Sequence, residues 1–260
     1  MYNDLLAARY LEVLKDLDTS YLDRQVPNAE AKHGPTQGKT GLSDLFLPSV
    51  SEAFAKAKLK IMVIGSETAG WNVLKEGEAC PTLPTYIQRG MAKHQAFFAK
   101  RLQAPNSRGY TFHNFMRSIS ERCGTDGLVY SNLFCFDWNG GSPLRQKNYF
   151  PTIEKYSELL IKAQIDVLEP NIIIFANGMS SVNSRQKFFP INGENSVCTN
   201  GRDYSGNGIG IQNRHLWSFN LYNRILCYRI HHPSARAVEA ARARKFLLTL
   251  LPDATLPCVQ

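Results

Sequence analysis

Four short, mostly apolar runs limit what this chain can fold into. They are Ile61-Met62-Val63-Ile64, Leu128-Val129-Tyr130-Ser131-Asn132-Leu133, Ile172-Ile173-Ile174-Phe175-Ala176 and Ile225-Leu226-Cys227-Tyr228-Arg229-Ile230. Strands of a parallel sheet are covered on both faces, so they read as continuous apolar runs. Helical periodicity lies between and around them. Ile153, Tyr156, Leu159, Leu160, Ala163 and Val167 recur at helical spacing within Thr152 to Leu168, a stretch that stops before Pro170. Leu5, Leu6, Tyr10, Leu11, Leu14 and Leu17 open the chain with an amphipathic helix. Ser49 or Ser51 is placed to cap a helix running to about Lys58. Ala235 to Leu251 reads as a terminal helix carrying Arg236, Arg242, Arg244 and Lys245. Asp18 to Thr40 reads as a loop or arm, and the Gly- and Asn-rich stretch Asn192 to Asn213 as a long loop or irregular hairpin.

Strands alternating with helices predict an α/β protein: a three-layer α/β/α sandwich around a central, mainly parallel four-stranded sheet. The chain shows no internal repeat and no low-complexity linker. It therefore reads as one domain, with residues 1–58 a helical extension and 59–251 the core.

Composition narrows the class further. A chain of 260 residues with 43% hydrophobic and 20% charged side chains can bury a substantial core. Its 30 basic and 22 acidic side chains leave a net charge of +8, which favours a polyanionic partner such as DNA. Met1 to Asp18 carries Asp4, Arg9, Glu12, Lys15 and Asp16, so it lacks the apolar segment of a secretion signal. No run approaches the roughly 20 apolar residues that cross a bilayer. These features predict a soluble cytoplasmic monomer with no membrane partner. Cys80, Cys123, Cys135, Cys198, Cys227 and Cys258 form no Cys-x-x-Cys pair, and none sits near a His at zinc-finger spacing. They read as reduced thiols, with no metal and no cofactor.

Open sheets of this kind bind ligands beyond the carboxyl ends of their strands. Gly65-Ser66-Glu67, Asn132, Gly178 and His232-Pro233-Ser234 all stand at or just past such ends. Gly65 to Gly70 holds neither Gly-x-Gly-x-x-Gly nor a phosphate-binding Gly-x-x-x-x-Gly-Lys motif. Glu67 is a carboxylate able to orient a water or to stabilise developing positive charge. The Asn132 amide can donate and accept at once, which suits the edge of a pyrimidine. His232 can donate to a developing oxyanion, and Ser234 can cap the following helix or hold a phosphate. Read singly, each also has a bland structural role: a solvated loop acid, a turn-capping Asn, a structural His.

Taken in order, these residues resemble the uracil-DNA glycosylase superfamily. Gly65-Ser66-Glu67-Thr68 is similar to the family's first loop, and Asn132 to its base-reading Asn. Leu168-Glu169-Pro170 to Gly178 resembles the family's middle strand, and His232-Pro233-Ser234 its final motif. The likeness covers roughly Lys60 to Arg244. The chain departs from the pattern at Glu67, where several branches have Asp or Asn, and at Thr68, where Pro is usual. It departs again at Ala69, where the uracil-specific branch has a bulky Tyr.

The resemblance implies a monofunctional DNA glycosylase with catalytic Glu67 and His232. Gly65, Ser66, Ala69 and Asn132 would line the base, and Trp71 or Tyr86 would stack on it. Ser234, Arg236, Arg242 and Arg244 would contact DNA, with Arg236 where a wedge or phosphate contact would lie. The small Ala69 implies relaxed exclusion at the pyrimidine C5, hence a 5-substituted or phage-type modified pyrimidine in place of plain uracil. Repair or defence against modified phage genomes would follow. Two other readings stay open: a DNA-binding module of the same fold that recognises damaged or single-stranded DNA without cleaving it, and an esterase using Ser66 with His232. The esterase lacks the usual Gly-x-Ser-x-Gly elbow.

Overall fold

The computed structural model describes residues 1–23, 41–206 and 208–254. Most of the expected arm, residues 24–40, and Cys258 lie outside the described residues. The four apolar runs form strands β1 (Ile61–Gly65), β2 (Leu128–Asn132), β3 (Ile172–Phe175) and β6 (Ile225–Ile230). Every residue of β1, β2 and β3 is buried, as two-sided cover requires.

Among the described residues the sheet has six strands, not the expected four, and it is mixed. Its order is β2-β1-β3-β6-β5-β4. β3 runs parallel to both β1 and β6. The two additional strands, β4 (Cys198–Asp203) and β5 (Leu216–Leu221), form an antiparallel extension on β6. β5 reads Leu-Trp-Ser-Phe-Asn-Leu, an alternation with period two that marks a strand with unequal faces. β4 is polar and mostly exposed, so only its pairing makes it a strand. Its ladder slips in register between Thr199 and Arg202, and Asn200 there takes a positive φ of 53°.

The chain divides into two compact units built from interleaved segments. The first comprises Met1–Val50, Ser66–Phe97 and Ser131–Glu169. Here α1 (Tyr2–Leu14) packs against α4 (Phe150–Leu168), burying Leu6, Tyr10 and Leu14 on one side and Ile153, Tyr156 and Leu160 on the other. Tyr10 lies in the core and donates its hydroxyl to the Pro48 carbonyl at 2.8 Å. The left-handed Glu169 ends α4 immediately before Pro170.

The second unit comprises Ser51–Gly65, Phe98–Tyr130 and Pro170–Gln260. It holds β1 and β3 to β6. α6 (Val238–Leu250) packs on β5, β6 and α3 (Thr111–Cys123). A short helix, α5 (Val182–Phe188), follows β3. α2 (Leu83–Gln103) begins in the first unit and ends in the second. The segment after Ser51 forms one 3-10 stretch, Glu52–Lys56, and Ser51 makes no side-chain cap there. The terminal helix starts at Val238, three residues later than expected. Among the described residues, no helix is long and apolar enough to cross a membrane.

Candidate functional site

In the first unit, Ser66 to Leu74 is an irregular loop that two buried aspartates hold by its backbone. Asp137, fully buried, accepts at Oδ2 from the Thr68 hydroxyl (2.5 Å), the Gly70 N–H (2.9 Å) and the Trp71 N–H (3.3 Å). Its Oδ1 accepts from the Gly140 N–H at 2.9 Å. Asp44, also fully buried, accepts from the N–H groups of Val73 and Leu74 and from the Tyr86 hydroxyl. Hydrogen bonds to a carboxylate are roughly twice as strong as neutral ones. Thr68 is thus fixed by its hydroxyl.

Glu67 sits at the head of this loop, half-buried. Ser66 donates its hydroxyl to Glu67 Oε2 at 2.5 Å. Burial raises the Glu67 pKa, the Ser66 hydroxyl opposes the rise, and the Asp137 charge adds to it. A carboxylate lifted in this way sits closer to the range where a general base works. Ala69 is exposed.

Asn132, the last residue of β2, belongs to the same unit and is 5% exposed. Phe134, two residues on, donates its N–H to the Ser66 carbonyl at 2.9 Å, which brings the exit of β2 against the Ser66-Glu67 turn. Neither Nδ2 nor Oδ1 of Asn132 has a partner among the described residues. A buried amide left unpaired at both atoms costs free energy, so it calls for a ligand or water that restores the bonds.

Trp71 and Tyr86 belong to the core of this unit. Trp71 is 6% exposed, donates Nε1–H to the Leu45 carbonyl at 3.1 Å and meets Phe46 and Phe97 edge-on. Tyr86 is fully buried, with its hydroxyl between the Leu45 N–H and Asp44. Neither ring presents an open face for a base, which corrects the expectation that one of them stacks on it. Both shape the site indirectly, through the loop that Asp44 and Asp137 hold.

In the second unit, His232 follows β6 by two residues. Its ring stacks on Phe112 of α3, with centroids 5.7 Å apart and planes inclined by 22°. The Ser234 N–H donates to His232 Nδ1 at 3.2 Å, and the Ser234 hydroxyl lies 2.7 Å from the same nitrogen. An N–H can only donate, so Nδ1 is the acceptor and the proton of the neutral ring sits on Nε2. Burial lowers the His232 pKa, and the Arg244 charge lowers it further. The imidazole is therefore held neutral with an N–H donor at Nε2. Gly178 has φ 72°, and a Cβ there would lie 3.5 Å from the His232 Cβ. The left-handed backbone favours glycine at that position.

The remaining residues of this group lie at the end of β1 and along α6 and its approach. Gly65 is the buried last residue of β1. Ser234 and Arg236 are exposed. Arg242 is exposed but donates to the Gly210 carbonyl at 3.4 Å and to the Ile209 carbonyl at 2.5 Å. Arg244 donates to the Ala235 carbonyl at 3.3 Å, and burial lowers its pKa. The apolar side chain of this stretch, Val238, is 80% exposed.

Sequence reading missed Asp137, Phe112 and Asn177. Asp137 and Phe112 act through partners many residues away, and nothing in their neighbourhood announces it. Asn177 directly precedes Gly178, and its buried amide also lacks partners at both atoms. Its place past a strand end was the available signal. Among the described residues, no group of three or more His, Cys, Asp or Glu is arranged to hold a metal ion. No protein-family model matches the chain, and no curated protein matches it.

Proposed function

We propose that this chain is a monofunctional DNA glycosylase acting on a pyrimidine, favoured over plain uracil when the base carries a 5-substituent. The observation that carries the reading is the fixed tautomer of His232. A neutral imidazole with its proton already on Nε2 donates to a leaving oxyanion from that nitrogen with no change of tautomer. In the proposed reaction the C1′–N1 bond breaks and its electron pair leaves with the base, delocalised onto the pyrimidine O2. His232 Nε2–H hydrogen-bonds that oxygen. Glu67 orients a water, accepts its proton as the oxygen bonds to C1′, and offsets the positive charge on the sugar meanwhile. Asn132 supplies the donor and acceptor that read the extruded base edge. The product is an abasic site and a free base.

DNA contact is assigned to Ser234, Arg236, Arg242 and Arg244. Val238 supplies the apolar side chain that enters the stack when the nucleotide turns out. Kinship with the uracil-DNA glycosylase superfamily would carry the three-layer α/β/α arrangement with it, and a repair or phage-defence role would follow from the base removed. A second reading, binding without cleavage, draws support from the Ser66 hydroxyl, which already occupies Glu67 Oε2.

Incubation with oligonucleotides carrying uracil, hydroxymethyl- or glucosylated pyrimidines, read as alkali-labile sites, tests the proposal. Wild type should generate abasic sites on at least one substrate, and Glu67→Gln should not. Tight binding with no turnover on any substrate, and no difference between wild type and Glu67→Gln, would leave only the binding module.

A further inference from the structure

The second unit contains a set of buried cationic and donor groups that the proposed reaction does not use. Arg185 of α5 is 2% exposed, and its Nε and Nη1 have no hydrogen-bond partner among the described residues. Its guanidinium carbon lies 5.8 Å from the centroid of the Phe175 ring. Phe175 pairs with Arg229 across the β3–β6 ladder, and Arg229 is 5% exposed. Arg229 spends Nη1 and Nη2 on the carbonyls of Arg214 and Asn213 and on Asn213 Oδ1, leaving Nε unpaired.

The same face continues past the strand ends. Side chains alternate along a strand, so Cys227 and Arg229 share one face of β6, and His231 directly follows the strand. His215 and His231 flank the last pair of the β5–β6 ladder, Leu216 with Ile230, and their rings are 5.0 Å apart. Asn177, two residues past Phe175, is 2% exposed with both amide atoms unpaired. Met179, two residues further, places Sδ 3.4 Å from Arg229 Nη1.

Almost all the unpaired atoms can donate. Arg214 Nε–H donates to His215 Nε2 at 3.2 Å, so the proton of neutral His215 stands on Nδ1, which is itself unpaired. Among the described residues, the groups acting on the two arginines include no carboxylate. Burial lowers Arg185, and only Cys198 and Cys227 oppose it. Burial lowers Arg229 to about 10, and the Arg185 charge lowers it further. Burial also raises both thiols, Cys198 to about 11, so neither is a counter-ion at neutral pH. Glu239 acts on His215 alone of this set and is exposed. Buried cations without a counter-charge are strongly unfavourable, so the arrangement asks for an anion.

We propose that Arg185, Arg229, Asn177, His215 and His231 form an internal binding site for an oxyanion of the phosphate class. Hydrogen phosphate fits the donors better than chloride. Its oxygens accept several N–H bonds at once, and its remaining O–H can donate to Asn177 Oδ1. The site uses none of Glu67, Asn132 and His232, so it stands whether or not the chain cleaves DNA.

The test is thermal unfolding of the whole chain in sodium phosphate against sodium chloride at matched ionic strength. Phosphate at roughly one hundred times its Kd should raise Tm by about 5–10 °C. Arg185→Met, which keeps apolar packing on Phe175, should lose that rise, and Arg185→Lys should retain part of it. No rise in wild type, or an equal rise in Arg185→Met, overturns the proposal. Should Arg185→Met fail to fold, calorimetric titration of wild type decides: saturable heat with phosphate and none with chloride upholds the site, and no heat with phosphate ends it. Competition with a 5′-phosphorylated oligonucleotide and its dephosphorylated twin then identifies the source. Displacement of phosphate by the phosphorylated strand alone assigns a nucleic-acid terminus, and displacement by neither assigns the free ion; both uphold the site.

Discussion

Replacing Asp137 by Ala should be among the most damaging single changes in the first unit. The carboxylate is fully buried and accepts four hydrogen bonds, from Thr68, Gly70, Trp71 and Gly140. A hydrogen bond to a charged group contributes about 1.5–3 kcal/mol. Four of them do not simply add, because the carboxylate is itself costly to bury and the 3.3 Å bond to Trp71 is long. Truncation leaves three backbone N–H groups without their acceptor, one of them on buried Trp71. Removing one partner from a buried charged set costs about 3–5 kcal/mol. At about 2–4 °C per kcal/mol for a chain of this length, Tm should fall by about 6–20 °C. Urea unfolding followed by tryptophan fluorescence measures the loss, since Trp71 reports on the loop directly. Asp137→Asn keeps the shape and one acceptor oxygen and should fall between Ala and wild type. A loss under about 1 kcal/mol in Asp137→Ala, the size of a surface change, would refute the claim that these bonds hold the loop.

The same residue bears on chemistry, because the Asp137 charge helps to raise Glu67. In the proposed reaction Glu67 is the base and must be ionised, so base release would rise with pH through its elevated pKa; Asp137→Asn should move that acidic limb to lower pH in single-turnover assays. Glu67→Gln should slow base release by about 10²–10⁴-fold, the range for a positioned general base, read as abasic sites formed per enzyme. His113 offers a separate stability test: burial, then the Arg101 and Arg117 charges, lowers its pKa from 6.5 to about 4. The unfolded chain binds this proton more readily, so the stability His113 provides is present above about 6.5 and lost as pH falls toward 4. Tm measured across that interval should fall on acidification, and less steeply in His113→Phe. Arg236→Ala should weaken DNA binding for all sequences alike and reduce the salt slope by about 1, whereas an unchanged slope would remove Arg236 from the phosphate contacts.

The sequence made some of this visible for clear physical reasons. β1, β2 and β3 announce themselves because strands covered on both sides are mostly apolar. β4 carries Cys-Thr-Asn-Gly-Arg-Asp and has no such need, so it escapes a reading based on hydropathy. β5 carried its signal in the apolar set Trp217, Phe219 and Leu221 alternating with the polar Ser218 and Asn220, a pattern that two-sided runs obscure. Glu67, Asn132 and His232 could be singled out because they stand at or within two residues of the ends of apolar strands, where open sheets bind ligands. Trp71 and Tyr86 could not be sorted from a base-stacking aromatic, because sequence does not show which faces of a ring neighbours already cover. Asp137 and Arg185 depend on contacts that form only once distant segments meet.

The slipped register in β4 has a consequence for the company this protein keeps. A sheet border is a template on which another chain can lay a strand of its own. Here the outermost strand departs from regular pairing between Thr199 and Arg202, turns left-handed at Asn200 and ends on the exposed charges of Arg202 and Asp203. An incoming strand would meet a broken row of donors and acceptors and would have to desolvate both charges. At its β4 border, then, the sheet resists both fibril-like stacking and edge-to-edge pairing of copies.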